Sequence, residues 1–119
     1  MKAEVLGIQL NVVGFAVAGR PSKESLALIL REIVSLIGMD TAGMQPIVLA
    51  YPLPTGQGST GETIFQPLVE SFIVSDSYPG LDKVYIVLAS CKPFDSDVVA
   101  GYLEWKVGAV LSQGNFRLR

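Results

Sequence analysis

The stretch that decides the fold reads SKESLALILREIVSLIG, from Ser22 to Gly38. Its apolar residues recur three and four positions apart, and this spacing places them on one face of a helix. Ser22 is a favourable N-cap, Glu24 lies beside the positive end of the helix dipole, and Gly38 suits the position after the last turn. The stretch therefore predicts a helix over residues 22–37.

The segments around this helix have the composition of β-strands. Residues 5–18 are rich in β-branched and aromatic side chains and in part alternate between apolar and polar residues, which is typical of a strand with one buried face. Residues 45–51 form a short apolar run, which predicts a buried strand. In all, five strands are predicted, over residues 5–18, 45–51, 63–75 (interrupted by Pro67), 83–91 and 109–118.

A second helix is predicted between the last two strands. Pro93 ends the fourth strand, Asp95 or Ser96 is a favourable N-cap, and the helix extends to about Val107. Its apolar stripe comprises Val98, Val99, Tyr102 and Leu103. The resulting order is β-α-β-β-β-α-β, for which we expect an α+β fold: a two-layer sandwich of one mostly antiparallel sheet with both helices on one face.

The composition excludes several kinds of chemistry. The 119 residues correspond to one small domain over residues 1–119, with no histidine, one cysteine and a formal net charge of −2. Without histidine there is no Ser-His-Asp or Cys-His relay and no imidazole ligand for a metal, and one cysteine allows no internal disulfide. The charge gives no electrostatic reason to bind nucleic acid or an anionic membrane. We expect no metal, nucleic-acid or membrane partner.

Half of the residues are apolar, yet no run approaches the roughly 18–20 apolar residues that span a bilayer. The N-terminus, Met1 to Glu4, lacks the layout of a signal peptide. We therefore expect a soluble cytoplasmic protein. Because a domain of this size has difficulty burying half of its residues alone, we also expect a homodimer in which a second subunit covers the apolar sheet face.

Without histidine, few side chains remain that could carry chemistry. They are Ser71 and Cys91, the carboxylates Glu62, Glu70, Asp76 and Asp82, and the hydroxyls Thr60, Thr63, Ser75 and Ser90. Taken one at a time, each has an ordinary structural explanation. A lone cysteine at the end of an apolar strand, for example, is usually a small buried hydrophobic residue.

The spacing of these residues is more informative than their types. The segment from Glu70 to Pro79 reads ESFIVSDSYP, and Cys91 follows Ser71 by twenty residues. This pattern resembles the processing site of prokaryotic-type S-adenosylmethionine decarboxylases, which carry Glu-Ser-His, a short apolar strand and then His-Thr-Trp-Pro. Aligned without a gap, Glu70 and Ser71 match the cleavage dipeptide, Pro79 matches the proline, and Tyr78 stands in place of the tryptophan. The predicted order of elements is similar to that of the family along essentially the whole chain.

The resemblance implies a proenzyme that cuts itself before Ser71. The serine would become a pyruvoyl group, a covalent cofactor that binds the substrate amine and withdraws electrons during decarboxylation. Cys91 would protonate the decarboxylated carbon, and Thr60 or Thr63 would be the hydroxyl that assists processing. Thr63 lies at the family's distance from the serine, whereas Thr60 keeps the family's glycine neighbour, so both remain candidates. The implied activity is decarboxylation of S-adenosylmethionine or a related amino acid, in polyamine biosynthesis.

The sequence departs from the family at its two motif histidines, which align with Phe72 and Asp76. The histidine at the place of Asp76 helps remove the proton needed to resolve the ester intermediate, a task that suits an imidazole. A solvated aspartate, with a pKa of about 3.9, is a poor base at pH 7, although burial raises such values. The activity then depends on whether Asp76 replaces the imidazole.

Two alternatives to a divergent pyruvoyl enzyme remain open. One is a non-catalytic, unprocessed homologue that binds a small adenosyl or amino-acid ligand, or that regulates an active decarboxylase. The other is an unrelated α+β interaction module, which a topology other than the predicted one would support.

Overall fold

A computed structural model of the chain describes residues 10–19, 21–52, 60–78 and 82–118. Within these ranges the elements follow the order β-α-β-β-β-β-α-β, which has one strand more than predicted. They are β1 (Leu10–Ala18), α1 (Lys23–Leu36), β2 (Ile47–Pro52), β3 (Thr60–Leu68), β4 (Ser71–Tyr78), β5 (Lys83–Ser90), α2 (Ser96–Lys106) and β6 (Val110–Leu118).

The six strands form one antiparallel sheet in the order β2-β3-β4-β5-β1-β6. Both helices pack on the same face, α1 against β3 and β4, and α2 against β1 and β6, and the two helices also contact each other. The expected α+β fold is confirmed. Neither helix in the described ranges is long and apolar enough to cross a membrane.

The hydrophobic core lies between the helices and the sheet. Because side chains alternate along a strand, every second residue of the four central strands points towards the helices. The residues of this core cluster are, on the sheet, Val13, Phe15, Val17, Ile64, Leu68, Ile73, Val84, Ile86 and Leu88, and, on the helices, Leu26, Ile29, Leu30, Ile33, Val34, Val99 and Leu103.

Both predicted helices are confirmed, and their first residues show why they begin where they do. The Ser22 hydroxyl accepts a hydrogen bond from the Ser25 amide at 3.2 Å, and the Asp95 carboxylate accepts one from the Asp97 amide at 3.0 Å. These side chains satisfy amides that have no partner in the first turn of a helix. The prediction that Val98 belongs to the buried stripe of α2 was wrong, because this side chain is 42% exposed.

The predicted single strand over residues 63–75 was wrong. The chain reverses in the middle of it, and the two-residue turn Val69–Glu70 joins β3 and β4 into a hairpin. No residue that favours turns stands there. Glu70 adopts a left-handed φ of 58°, and the Val69 amide donates to the Asp40 carbonyl oxygen after α1 at 3.0 Å. The reversal therefore depends on a tertiary contact and not on local turn chemistry.

The expectation that the strand over residues 45–51 is buried was also wrong. Strand β2 lies at the edge of the sheet, beyond the cover of either helix, and Ile47, Val48 and Leu49 are 52%, 45% and 56% exposed. An apolar run indicates a strand whose burial is favourable, but it does not indicate which element, if any, covers the strand. Val48 points to the helix side of the sheet. Ile47 and Leu49 belong to what we call the open face, the side of the sheet away from both helices, whose apolar side chains include Ile47, Leu49, Phe65, Phe72, Tyr85 and Val87.

Candidate functional site

The side chain of Ser71 lies at the end of the sheet where β4 begins. In the pairing of β4 with β5, Ser71 stands opposite Ser90, and its Oγ donates a hydrogen bond to the Ser90 Oγ at 2.8 Å. Ser90 is fully buried, and its Oγ also accepts the Lys92 amide at 3.0 Å. The hydroxyl of Ser71 is thus held in one direction by a rigid neighbour.

Glu70 joins this serine to the turn between β3 and β4. It is exposed, and its φ of 58° lies in the left-handed region that residues with a Cβ rarely adopt. Such a conformation costs roughly 1–2 kcal/mol for a residue other than glycine. The peptide bond between Glu70 and Ser71 therefore lies at an exposed turn and directly follows a strained residue.

Cys91 follows Ser90 directly and is exposed to solvent. The segment around it is tied to the neighbouring strand, since the Asn11 side-chain amide donates to the Lys92 carbonyl oxygen at 3.3 Å. Because Ser90 pairs with Ser71, Cys91 lies one residue beyond that pair along the chain. We call Glu70, Ser71, Ser90 and Cys91 the serine site.

Asp76 and Thr63 meet elsewhere, on the open face. They stand opposite each other in the pairing of β3 with β4, and the Thr63 hydroxyl donates to Asp76 Oδ1. The Tyr51 hydroxyl lies 3.4 Å from the same oxygen. Its ring crosses Gly61 so closely that an added Cβ would lie 2.7 Å from ring carbons, so a larger residue at this position would displace the Tyr51 ring. We call Tyr51, Thr63 and Asp76 the carboxylate site.

Within one chain these two sites do not meet. Ser71 and Asp76 are five residues apart on β4, which is about 16 Å at the usual rise of a strand, and an odd separation puts their side chains on opposite faces. Of the predicted site residues, Glu70 and Ser71 are adjacent at the β3–β4 turn, and Cys91 follows the residue that pairs with Ser71, whereas Thr63 and Asp76 form a second group. Thr60 begins β3, but its side chain, like all of Pro79, lies outside the described part of the chain.

The sequence did not indicate two of the relationships in these sites. Ser90 was only one of several candidate hydroxyls, because nothing in its neighbours predicts that it pairs with Ser71. Nothing in the sequence indicated a role for Tyr51. Its contact with Asp76 forms only because β2 and β4 pair with opposite edges of β3. Among the described residues, no three cysteine or acidic side chains lie close enough together to hold a metal ion.

Comparisons with known proteins give one informative result. No family model matches the sequence, and no curated protein matches it. Among solved structures, the chain is similar to the adenosylmethionine decarboxylase from Aquifex aeolicus VF5, with a TM-score of 0.64 and 12% sequence identity over 93% of this chain and 88% of that one. At this identity the likeness shows the fold alone. The chain thus has an adenosylmethionine decarboxylase-like α+β fold.

Proposed function

We propose that the chain is a self-processing, pyruvoyl-dependent decarboxylase of S-adenosylmethionine or a related amino acid. The observation that carries this proposal is the serine site. The Glu70–Ser71 dipeptide lies at an exposed, strained turn, the Ser71 hydroxyl is oriented by a hydrogen bond to Ser90, and Cys91, a free and exposed cysteine, directly follows Ser90 in the chain. These features occur on a fold similar to that of an adenosylmethionine decarboxylase. A role in cytoplasmic polyamine biosynthesis belongs to the same proposal.

The self-processing reaction needs only groups that the chain supplies, together with water. Ser71 Oγ attacks the Glu70 carbonyl carbon, so that an Oγ–C bond forms, the C–N bond breaks, and the hydroxyl proton ends on the released nitrogen. Loss of the Ser71 α-proton and cleavage of its Cβ–Oγ bond then release the Glu70 carboxylate and leave dehydroalanine. Hydrolysis of dehydroalanine gives ammonia and a pyruvoyl group at the start of β4.

The fold can accept this cut without losing the sheet. Cleavage at residue 70 opens only the β3–β4 turn, while the two strands stay paired from Glu62–Ser77 to Leu68–Ser71. Strand β4 also remains paired with β5 along its whole length. The new N-terminus would therefore stay opposite Ser90, the residue before Cys91. There the pyruvoyl carbonyl would serve as the electron sink for decarboxylation, and the exposed thiol would donate the proton.

The open face supports a homodimer as part of this proposal. Large apolar side chains there are exposed to water. Burying apolar surface contributes about 25 cal/mol of stability per Å², so covering this face would stabilise an assembly. A second copy of the chain would bury the same patch on both subunits around a two-fold axis. Such a contact places the carboxylate site of each subunit against the sheet of the other, where it could bind an adenosyl or amino-acid ligand.

Mass spectrometry of the purified full chain tests the proposal. We expect two fragments, residues 1–70 and 71–119, the second lighter by one ammonia than a fragment that begins with serine. Ser71→Ala is the control and should stay intact. Release of carbon dioxide from S-adenosylmethionine then tests the substrate. A wild-type chain that stays intact after long incubation would overturn the proposal and leave a non-catalytic homologue.

A further inference from the structure

The hydroxyl of Ser90 is placed to serve the self-processing step. We infer that Ser90 is the positioning residue that orients Ser71 for attack on the Glu70 carbonyl, an inference that rests on the proposed function. Its Oγ is the acceptor of the Ser71 hydroxyl at 2.8 Å. The resemblance to the decarboxylase family assigned a hydroxyl role to a threonine before the serine, and this geometry assigns it to a serine twenty residues further along the chain.

One of the two candidate threonines, Thr63, is engaged on the other face of the sheet. Thr63 donates its hydroxyl proton to Asp76, and both residues lie on the open face, whereas Ser71 and Ser90 lie on the face that the helices cover. Thr63 cannot contact Ser71 from there without a change of strand register, which would turn every side chain of the strand to the other face. Ser90 contacts Ser71 with the observed pairing.

Ser90 is held more firmly than an ordinary surface hydroxyl. It is fully buried, its strand is paired on both sides, and its Oγ accepts the Lys92 amide at 3.0 Å. The Lys92 carbonyl oxygen in turn accepts the side-chain amide of Asn11, which stands opposite Ser90 on β1. Three adjacent strands therefore fix the oxygen that accepts the Ser71 hydrogen bond.

This arrangement has a direct consequence for the acyl shift. Because the Ser71 O–H bond is directed at Ser90, the lone pairs of the Ser71 Oγ are left for the Glu70 carbonyl carbon. Ser90 stabilises the hydroxyl proton while the Oγ–C bond forms, and the proton then passes to the released amide nitrogen. Misplacing a reacting group by about 1 Å costs roughly 10²-fold in rate, so we expect Ser90→Ala to slow cleavage by about 10²-fold.

Ser75 provides a matched control for this variant. It is also a fully buried strand hydroxyl on the helix-covered face, but its Oγ has no hydrogen-bond partner in the described part of the structure. Ser75→Ala removes the same atom without touching Ser71, and we expect it to cleave at the wild-type rate. Ser90→Thr keeps a hydroxyl and should recover most of the rate. Ser90→Cys keeps the side-chain size with a weaker acceptor and should cleave slowly.

The experiment follows the intact mass of each full-length variant over time, with urea unfolding of the same variants in a Ser71→Ala background. Slow cleavage in Ser90→Ala and Ser90→Cys, with normal rates in Ser75→Ala and Ser90→Thr, supports the inference. Equal rates in Ser90→Ala and wild type overturn it and leave the proposed function standing. Equal slowing in Ser75→Ala also overturns it, because a general loss of core stability would explain both. If the wild type itself stays intact, the proposed function and this inference both fail.

Discussion

Ser71 and Asp76 lie on the same strand, five residues apart, with their side chains on opposite faces of the sheet. Asp76 occupies the position of the family's processing histidine in an alignment without gaps, yet within one chain it faces away from the serine that it would assist. Its contacts are with Thr63 and Tyr51 on the open face. Whether an aspartate at this position can do the work of an imidazole therefore depends first on where its side chain lies in the fold.

The first prediction concerns Asp76. Asp76→Asn keeps an oxygen that can accept the Thr63 hydroxyl but removes the charge and the basicity. We expect the rate of cleavage before Ser71 to stay within about twofold of wild type, whereas loss of a true general base costs about 10²–10⁴-fold. Asp76→His is the companion variant and should not accelerate cleavage. A time course of intact mass measures both, and a 10²-fold slowing in Asp76→Asn would show that Asp76 reaches Ser71.

The second prediction concerns the strain at Glu70. In an uncleavable Ser71→Ala background, Glu70→Gly should raise the free energy of unfolding by about 0.5–1 kcal/mol. Glycine adopts a left-handed φ without a steric cost, although its freedom in the unfolded chain offsets part of the gain. Glu70→Ala is the control, because it removes the carboxylate and keeps the Cβ. Urea unfolding measures both, and equal stability of the two variants would contradict strain at this turn.

The third prediction concerns the open face. Val87 is 37% exposed there, and Val87→Glu would place a charge on each side of a two-fold contact. We expect wild type to be a dimer and Val87→Glu to be a monomer by size-exclusion chromatography with light scattering. Leu28→Glu makes the same kind of change on an exposed residue of α1 and should leave the dimer intact. A monomeric wild type, or dissociation by Leu28→Glu alone, would count against this interface.

The fourth prediction concerns Tyr102, whose hydroxyl donates to Glu32 and so joins α2 to α1. Burial, this hydrogen bond and the charge of Glu32, in that order, raise the pKa of Tyr102 well above its ordinary value. The folded state therefore favours the protonated phenol, and this stabilisation is complete below about pH 10, the pKa of the unfolded chain, and is lost as the pH rises further.

Tyr102→Phe removes both the hydrogen bond and the titrating group. We expect it to lower the free energy of unfolding by about 1 kcal/mol at pH 7 and to be less sensitive than wild type to a rise from about pH 9 to about pH 11. Glu32→Gln keeps an acceptor without the charge and should show a decrease between the two. Urea unfolding across this range is the measurement, and parallel curves for wild type and Tyr102→Phe would disprove the assignment.

The helices and the fold class could be predicted from the sequence because their signals are local. The apolar spacing of residues 22–37 and the capping oxygens of Ser22 and Asp95 act within a few residues, and the structure keeps both helices where these signals predict them. The hairpin between β3 and β4 could not be predicted, because its turn is held by a contact of Val69 with Asp40 and carries no turn-forming residue.

The candidate site also has features that the sequence determines and features that depend on the tertiary structure. The sequence by itself determined the Glu70–Ser71 dipeptide, its spacing to Cys91 and the absence of histidine, since these are facts of order along the chain. Only the tertiary structure decided which groups meet: Ser71 with Ser90, and Thr63 with Asp76 on the opposite face. The physical reason is that strand register and the alternation of side chains set these contacts, and both arise from pairing between distant segments that no short stretch of sequence encodes.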